Sequence, residues 1–269
     1  MITIGSLAIL LYTAAWLALA SQWRAKLKRT DIPALSKYYL ALWVGAALLH
    51  ATYLYAPLVH EKQIALDFMS AASHIMWLTG LVLLISSIKQ NGESLNVLTL
   101  PFVLLALALQ MFTTRNTGSD MILSSGFGIH IFSALLAYSM LMIAAIQSLI
   151  LAYQHKQLHA RQTNAFLQTL PPMQTMDSLL FRFIATGLVL LSIALITGFI
   201  YLENLFGQGV AHKTILSIIA WLVFSGLLIG RWRYGWRGLS AARWTLSGFG
   251  LLMLAFFGTK FVQEYLLAS

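Results

Sequence analysis

Leu195 to Gly238 reads LITGFIYLENLFGQGVAHKTILSIIAWLVFSGLLIGRWRYGWRG. An apolar segment closes at Tyr201, and a short polar loop then carries Glu203, His212 and Lys213. A second apolar segment, Thr214 to Gly230, contains no charge and breaks off at Arg231-Trp232-Arg233, followed by Gly235-Trp236-Arg237-Gly238. Apolar runs of about 20 residues match the hydrocarbon thickness that an α-helix must cross. The arginines and glycines that follow read as one membrane face. This stretch alone predicts a helix, an aqueous turn, a second helix and a basic rim.

The whole chain has the same character. Hydrophobic residues make up 59% of the 269 and charged residues only 9%, which is far from soluble globular composition. The net charge of +9 is not a nucleic-acid footprint, because the basic residues lie between apolar runs, where membrane topology places them. There is no cysteine, which excludes disulfides, thiolate chemistry, Cys-ligated metal sites and covalent c-type haem attachment to this chain.

Periodicity and breaks predict an all-α polytopic membrane protein, a single transmembrane domain over 1–269 with eight spans. These lie at about 2–21, 38–58, 65–88, 96–112, 126–153, 179–201, 214–230 and 244–265. The first basic residue, Arg24, follows the first run instead of preceding it, so an uncleaved first helix is expected. The long connection Gln154 to Asp177 holds Pro171-Pro172 and enough Leu, Phe and Met to lie against the interface.

Thirteen of the 17 lysines and arginines fall on one side of this arrangement, from Arg24, Lys26, Lys28, Arg29 and Lys37 in the first loop to Arg231, Arg233, Arg237 and Arg243 in the last. The positive-inside rule then puts both termini outside. The last four arginines are read as topology signals that meet anionic lipid, with a carboxylate or partner dock as the other reading.

That orientation gives the histidines a pattern. His50 lies about 10 Å below the outer end of helix two at 1.5 Å per residue, His74 about nine residues down helix three, and His130 near the outer end of helix five. His60 and His212 are placed in outer loops, and only His155 and His159 fall on the inner side. Ionisable groups inside spans mark functional sites by default, and imidazole suits haem iron or another transition metal. Two uses remain open for each: a neutral hydrogen bond to a neighbouring helix, or ligation at a site assembled between helices. Elsewhere, Gly226-x-x-x-Gly230 offers a close packing face, and Asp67 is expected to snorkel. No P-loop, nucleophile elbow, H-E-x-x-H or pair of in-membrane carboxylates occurs, so the chain is not read as an enzyme or a proton-driven pump.

Several short motifs follow one another in order. Gly-Ile-His130 opens a helix that reaches Ala137-Tyr138, and Leu-Pro171-Pro172-Met-Gln-Thr-Met-Asp177 precedes Leu-Leu-Phe-Arg182. Thr197-Gly198, His212-Lys213-Thr214, Ile-Ile-Ala-Trp221, Gly-Trp236-Arg237-Gly238 and Phe257-Gly258 complete the series. Their order resembles the cytochrome c assembly family of CcsA and HemX, most closely its bacterial inner-membrane branch, YpjD. The likeness covers about residues 126 to 265 well and the first four helices loosely.

The resemblance implies haem handling in cytochrome c biogenesis or haem homeostasis, with non-covalent haem b as cofactor. His130 matches the family's first outer histidine and is the expected ligand to haem iron. His50 corresponds to a helix-two histidine of the family. The loop Leu202 to His212 has none of the family's tryptophans, Trp232 stands where the family has a histidine at the end of helix seven, and the last outer histidine corresponds to about Leu267. With that partner missing, the second axial ligand is expected from His50 first, His74 second and His212 third. Expected partners are the lipid bilayer, haem and other membrane biogenesis proteins, with no nucleic acid. The competing readings are a cofactor-free scaffold of another membrane complex, with a vestigial haem site, and a small-solute transporter, disfavoured by the lack of acidic relay residues.

Overall fold

The computed structural model describes residues 2–28, 30–31, 33–61, 63–89, 93–113, 120–122, 125–161, 165–201, 211–262 and 264. The protein is an all-α polytopic membrane protein: among the described residues, eight helices are long and apolar enough to cross a bilayer. They are α1 (Ile2–Lys28), α2 (Tyr39–Glu61), α3 (Phe68–Lys89), α4 (Glu93–Phe112), α5 (Ser125–His159), α7 (Met173–Tyr201), α8 (Ala211–Tyr234) and a last span, Leu239–Phe261, that begins as α9 (Leu239–Met253). A short helix, α6 (Ala165–Thr169), lies between α5 and α7. Beyond α9 the chain continues through a π-helical segment, Leu254–Gly258, and a last helical turn, Thr259–Phe261.

The chain groups into two compact units, residues 1–122 with 164–170, and residues 123–163 with 171–269. In the first, α1 packs on α2 and α4, and α3 packs on α2 and α4, so the four helices close a ring. Indole N–H groups stitch it together. Trp16 Nε1 donates to the Val97 carbonyl at 3.1 Å, and Trp77 Nε1 to that of Ala47 at 2.8 Å. The second unit repeats the plan: α5 packs on α7 and α9, and α8 packs on the same two. Here Trp221 Nε1 donates to Ser192 Oγ at 2.8 Å, and Tyr138 Oη to the Leu252 carbonyl at 2.8 Å. Such bonds satisfy polar groups that hydrocarbon cannot. Exposed Leu10, Leu48, Phe102, Val189, Leu222 and Ile229 supply the lipid-facing surface.

Several boundaries differ from those the sequence suggests, each for a local reason. A two-stranded antiparallel ribbon, β1 (Gln63–Ala65) with β2 (Asp120–Ile122), occupies stretches expected as helix start and loop. α3 then begins at Phe68 because Asp67 caps it: its carboxylate accepts from Ser70 N at 3.1 Å and its carbonyl from Ala71 N at 2.8 Å. Asp67 is therefore a buried cap and does not snorkel. α5 runs on to His159, since nothing breaks it before Arg161, whose φ is 53°. α7 starts directly after Pro171-Pro172, with Thr175 N bonded to the Pro172 carbonyl at 2.9 Å, the position proline favours. Most of the expected 154–177 loop is thus helical.

The glycine pair of α8 does not form the expected close face. A Cβ at Gly226 would meet only the edge of Trp244 at 3.9 Å, and one at Gly230 would fall inside the Trp236 indole. Tight interhelical approaches lie elsewhere, among them Gly187 against Leu141 (2.7 Å), Gly248 against Phe224 (2.9 Å), Gly5 against Met111 and Gly126 against Tyr201.

Candidate functional site

Of the candidate ligands, His130 is the one the second unit builds into a distinct setting. It lies in the second turn of α5, half-buried, and its Nδ1 is 2.8 Å from the carbonyl oxygen of Ala194 on α7. A carbonyl can only accept, so Nδ1 carries the proton. The lone pair is then on Nε2, which makes no hydrogen bond among the described residues. Phe127 stacks beside the ring, centroids 5.9 Å apart and planes 19° apart. This is the arrangement in which an imidazole is oriented and made basic for ligation by a hydrogen bond at its other nitrogen.

The same end of this unit holds a charged group. Lys260 Nζ pairs with Glu264 Oε1 at 3.1 Å. Lys213 Nζ lies 6.0 Å from the centroid of the Phe256 ring, and Phe256 in turn sits 6.0 Å from Tyr138 of α5. His212, expected in a loop, falls instead in the first turn of α8, where it is exposed. The loop residues 202–210, including Glu203, lie outside the described residues.

In the first unit, His50 and His74 are buried but differ in chemistry. Both nitrogens of His50 are engaged, Nε2 with Ser73 Oγ at 3.0 Å and Nδ1 with Tyr12 Oη at 3.4 Å. His74 donates Nδ1–H to the Ser70 carbonyl at 2.7 Å and leaves its buried Nε2 without a partner. Tyr55 meets its ring edge-on at 5.3 Å. His74 therefore shares the protonation pattern of His130, and His50 does not. The side chain of His60 lies outside the described residues.

On the opposite end of the second unit, Arg231 departs from the lipid-facing expectation. Its Nη1 is 2.8 Å from Asp177 Oδ2 and 3.1 Å from the Trp236 carbonyl, and the guanidinium lies 4.5 Å from the Phe181 centroid. Asp177 also accepts from Gly238 N at 3.2 Å. Arg233, Arg237 and Arg243 are exposed. His155 and His159, one turn apart on α5 and not in a loop, bring their rings to 4.0 Å.

Comparison with known proteins fits this picture. The family described as Cytochrome C assembly protein matches residues 35–267. The chain belongs to the cytochrome c assembly family. Within it, the inner membrane protein YpjD of Escherichia coli K12 is 33% identical over 199 residues, covering 74% of this chain and 75% of that protein. Protein HemX of Brevibacillus brevis is 25% identical over 160 residues, 58% of this chain and 59% of its own. The cytochrome c biogenesis protein CcsA of Prochlorococcus marinus NATL1A is 27% identical over 114 residues, 40% of this chain and 36% of its own. No solved structure matches.

For a cytochrome c assembly family member the relevant test is whether the residues present suit haem. His130 does, because it offers an Nε2 lone pair held in place through Nδ1, whereas the Nε2 of His74 is enclosed within the first unit. His50 would have to give up Tyr12 or Ser73 to bind iron. Trp232, at the family's histidine position in α8, is 83% exposed. Among the described residues no cluster of three His, Asp or Glu is arranged for a bare metal ion, a demand that haem, which brings four nitrogens of its own, does not make. What sequence reasoning missed is the Ala194 carbonyl and the Lys260–Glu264 pair. A lysine inside the last apolar run was the available signal for the latter.

Proposed function

We propose that this protein binds haem b non-covalently within the membrane and handles it during assembly of c-type cytochromes, with His130 as ligand to the iron. The observation that carries the reading is the Nδ1–H bond from His130 to the Ala194 carbonyl, which leaves Nε2 available. When bound, haem supplies an iron able to exchange ligands and two carboxylates. The chain's own part is to hold the imidazole in one tautomer, exclude water with apolar helices and meet the carboxylates. His130 alone would give a weakly held carrier, suited to release.

For a second ligand we rank first His212, which shares the unit of His130 and lies in the first turn of α8; His50 and His74 belong to the other unit. The reading includes a bacterial inner-membrane location with both termini on the periplasmic side, supported by the charge asymmetry of the loops. The protein serves as a carrier, not as an enzyme, and its partners are other membrane proteins of the same assembly process.

The test is purification from haem-replete cells, with His130→Ala, His74→Ala, His50→Ala and His212→Ala in parallel. The native protein should show a Soret band, His130→Ala should lose most of it, and His212→Ala should shift its position. A native protein that neither carries nor takes up haem would leave the scaffold with a vestigial site as the surviving function. A haem content unchanged by His130→Ala would mean another ligand.

A further inference from the structure

Three polar side chains of the first unit close on a single residue of α3. Asp67 Oδ1 accepts from Ser70 N at 3.1 Å, Gln110 Nε2 on α4 donates to Ser70 Oγ at 3.2 Å, and His74 Nδ1 donates to the Ser70 carbonyl at 2.7 Å. The amide, hydroxyl and carbonyl of Ser70 are thus each taken by a different side chain. Ser70, Asp67 and His74 are 3%, 6% and 1% exposed. Each of the three clasping groups gives one polar atom to Ser70 and has a second left over. Those second atoms, Asp67 Oδ2, Gln110 Oε1 and His74 Nε2, are buried and make no hydrogen bond among the described residues.

All three are acceptors. With the proton of His74 on Nδ1, its Nε2 presents a lone pair, and a carboxylate oxygen and an amide oxygen likewise only accept. Three acceptors cannot satisfy one another. They are also close neighbours: each belongs to a group already bonded to Ser70, α3 packs on α4, and the His74 imidazole lies within electrostatic reach of the Asp67 carboxylate. A buried acceptor without a donor forfeits the hydration it had in water, and hydrocarbon around a span offers no replacement. An anion would be repelled here, and an apolar group would leave the same atoms unpaired. What fits is a small species with protons or positive charge to give.

We propose that α3 and α4 hold a binding site for a small hydrogen-bond donor, ordered water, with Asp67 Oδ2, His74 Nε2 and Gln110 Oε1 as its acceptors. One water has two protons to give, so three acceptors call for more than one molecule, each taking further bonds from its neighbours as buried waters do. A small cation such as ammonium or sodium is the other source of the same chemistry. The site gives His74 Nε2 an occupation other than iron and ties α4 to α3 through Gln110. It is independent of the haem reading, which concerns the other unit.

The experiment is a cryo-electron microscopy map of the full chain in nanodiscs, with a bound antibody fragment and at a resolution that shows ordered water, for the native protein and Gln110→Leu. The native map should hold at least one peak at hydrogen-bond distance, about 2.7–3.2 Å, from two or more of the three atoms. Gln110→Leu should lose the peak beside α4. A 15N spectrum gives a second readout: the His74 Nε2 resonance, assigned by its loss in His74→Gln, should be shifted upfield as a hydrogen-bonded nitrogen. Thermal unfolding in choline, ammonium and sodium chloride at one ionic strength separates the two sources. A melting temperature indifferent to the cation assigns the peak to water. One that rises with ammonium or sodium in the native protein but not in Asp67→Asn assigns it to the cation. A map in which the three atoms meet only protein groups, a turned-over Gln110 amide included, overturns the proposal, and so does a His74 Nε2 that resonates as unbonded. If Gln110→Leu fails to fold, the native map and spectrum decide by themselves.

Discussion

One backbone carbonyl decides what His130 is able to do. Because Ala194 accepts from Nδ1, the ring is fixed as a ligand through Nε2, whereas His50, bonded at both nitrogens, is a strut between α1, α2 and α3. At the far end of the same unit, Asp177 and Arg231 form a pair in which the carboxylate is buried and the guanidinium is one-third exposed. Removing Arg231 would leave Asp177 with only the Gly238 amide among the described residues, so Arg231→Ala should cost about 2–3 kcal/mol. Arg233→Ala and Arg243→Ala, at exposed positions, should stay within about 0.5 kcal/mol. Thermal unfolding in detergent compares the three, and an Asp177→Ala, Arg231→Ala double variant should recover part of the loss. Imidazoles were visible in the sequence as costly groups in apolar runs. Their tautomers were not, because Ala194 is 64 residues from His130 and Asp177 is 54 from Arg231, and no local pattern announces such partners.

At the scale of elements, hydropathy makes the spans legible, since an unbroken apolar run has few alternatives in a bilayer. The ends are harder, because helices such as α5 continue past the apolar run until a residue such as Arg161 turns the backbone. The β1–β2 ribbon joins strands of three residues each, separated by two whole helices, too short and too distant for periodicity to reveal. Glycine spacing misleads for the same reason: Gly226 and Gly230 have the motif, while Gly187 and Gly248 have the contacts. Gly230→Ala should lower the melting temperature markedly, because its methyl group would meet a Trp236 ring stacked against Tyr234 and Trp244; overpacking of this kind costs about 1–3 kcal/mol. Gly226→Ala should be close to neutral. Equal effects would mean that the two glycines serve one helix-packing face after all.

For the molecule as a whole, two rings of four helices account for the eight spans, and the basic residues gather at alternate connections. A reporter active only in the cytoplasm, fused at residue 165 or 238, should be active, and one fused after the last span should be silent. The reverse pattern would invert the orientation and move the His130 end to the cytoplasmic side. Loop charge was the only sequence signal for this, and it acts during insertion more than in the folded state.

The π-helical segment Leu254–Gly258 carries one residue more than an α-helix needs for the same hydrogen-bonded turn. A single-codon insertion into an α-helical span would produce the same geometry. Deleting one residue there would let the helix relax to α-geometry and rotate everything beyond it by about 100°, one residue's share of a 3.6-residue turn. Lys260 and Glu264 would swing together to a different side of the helix, still paired with each other but facing different neighbours. A relative without that extra residue would keep its spans while its last helical turn met a different set of neighbours.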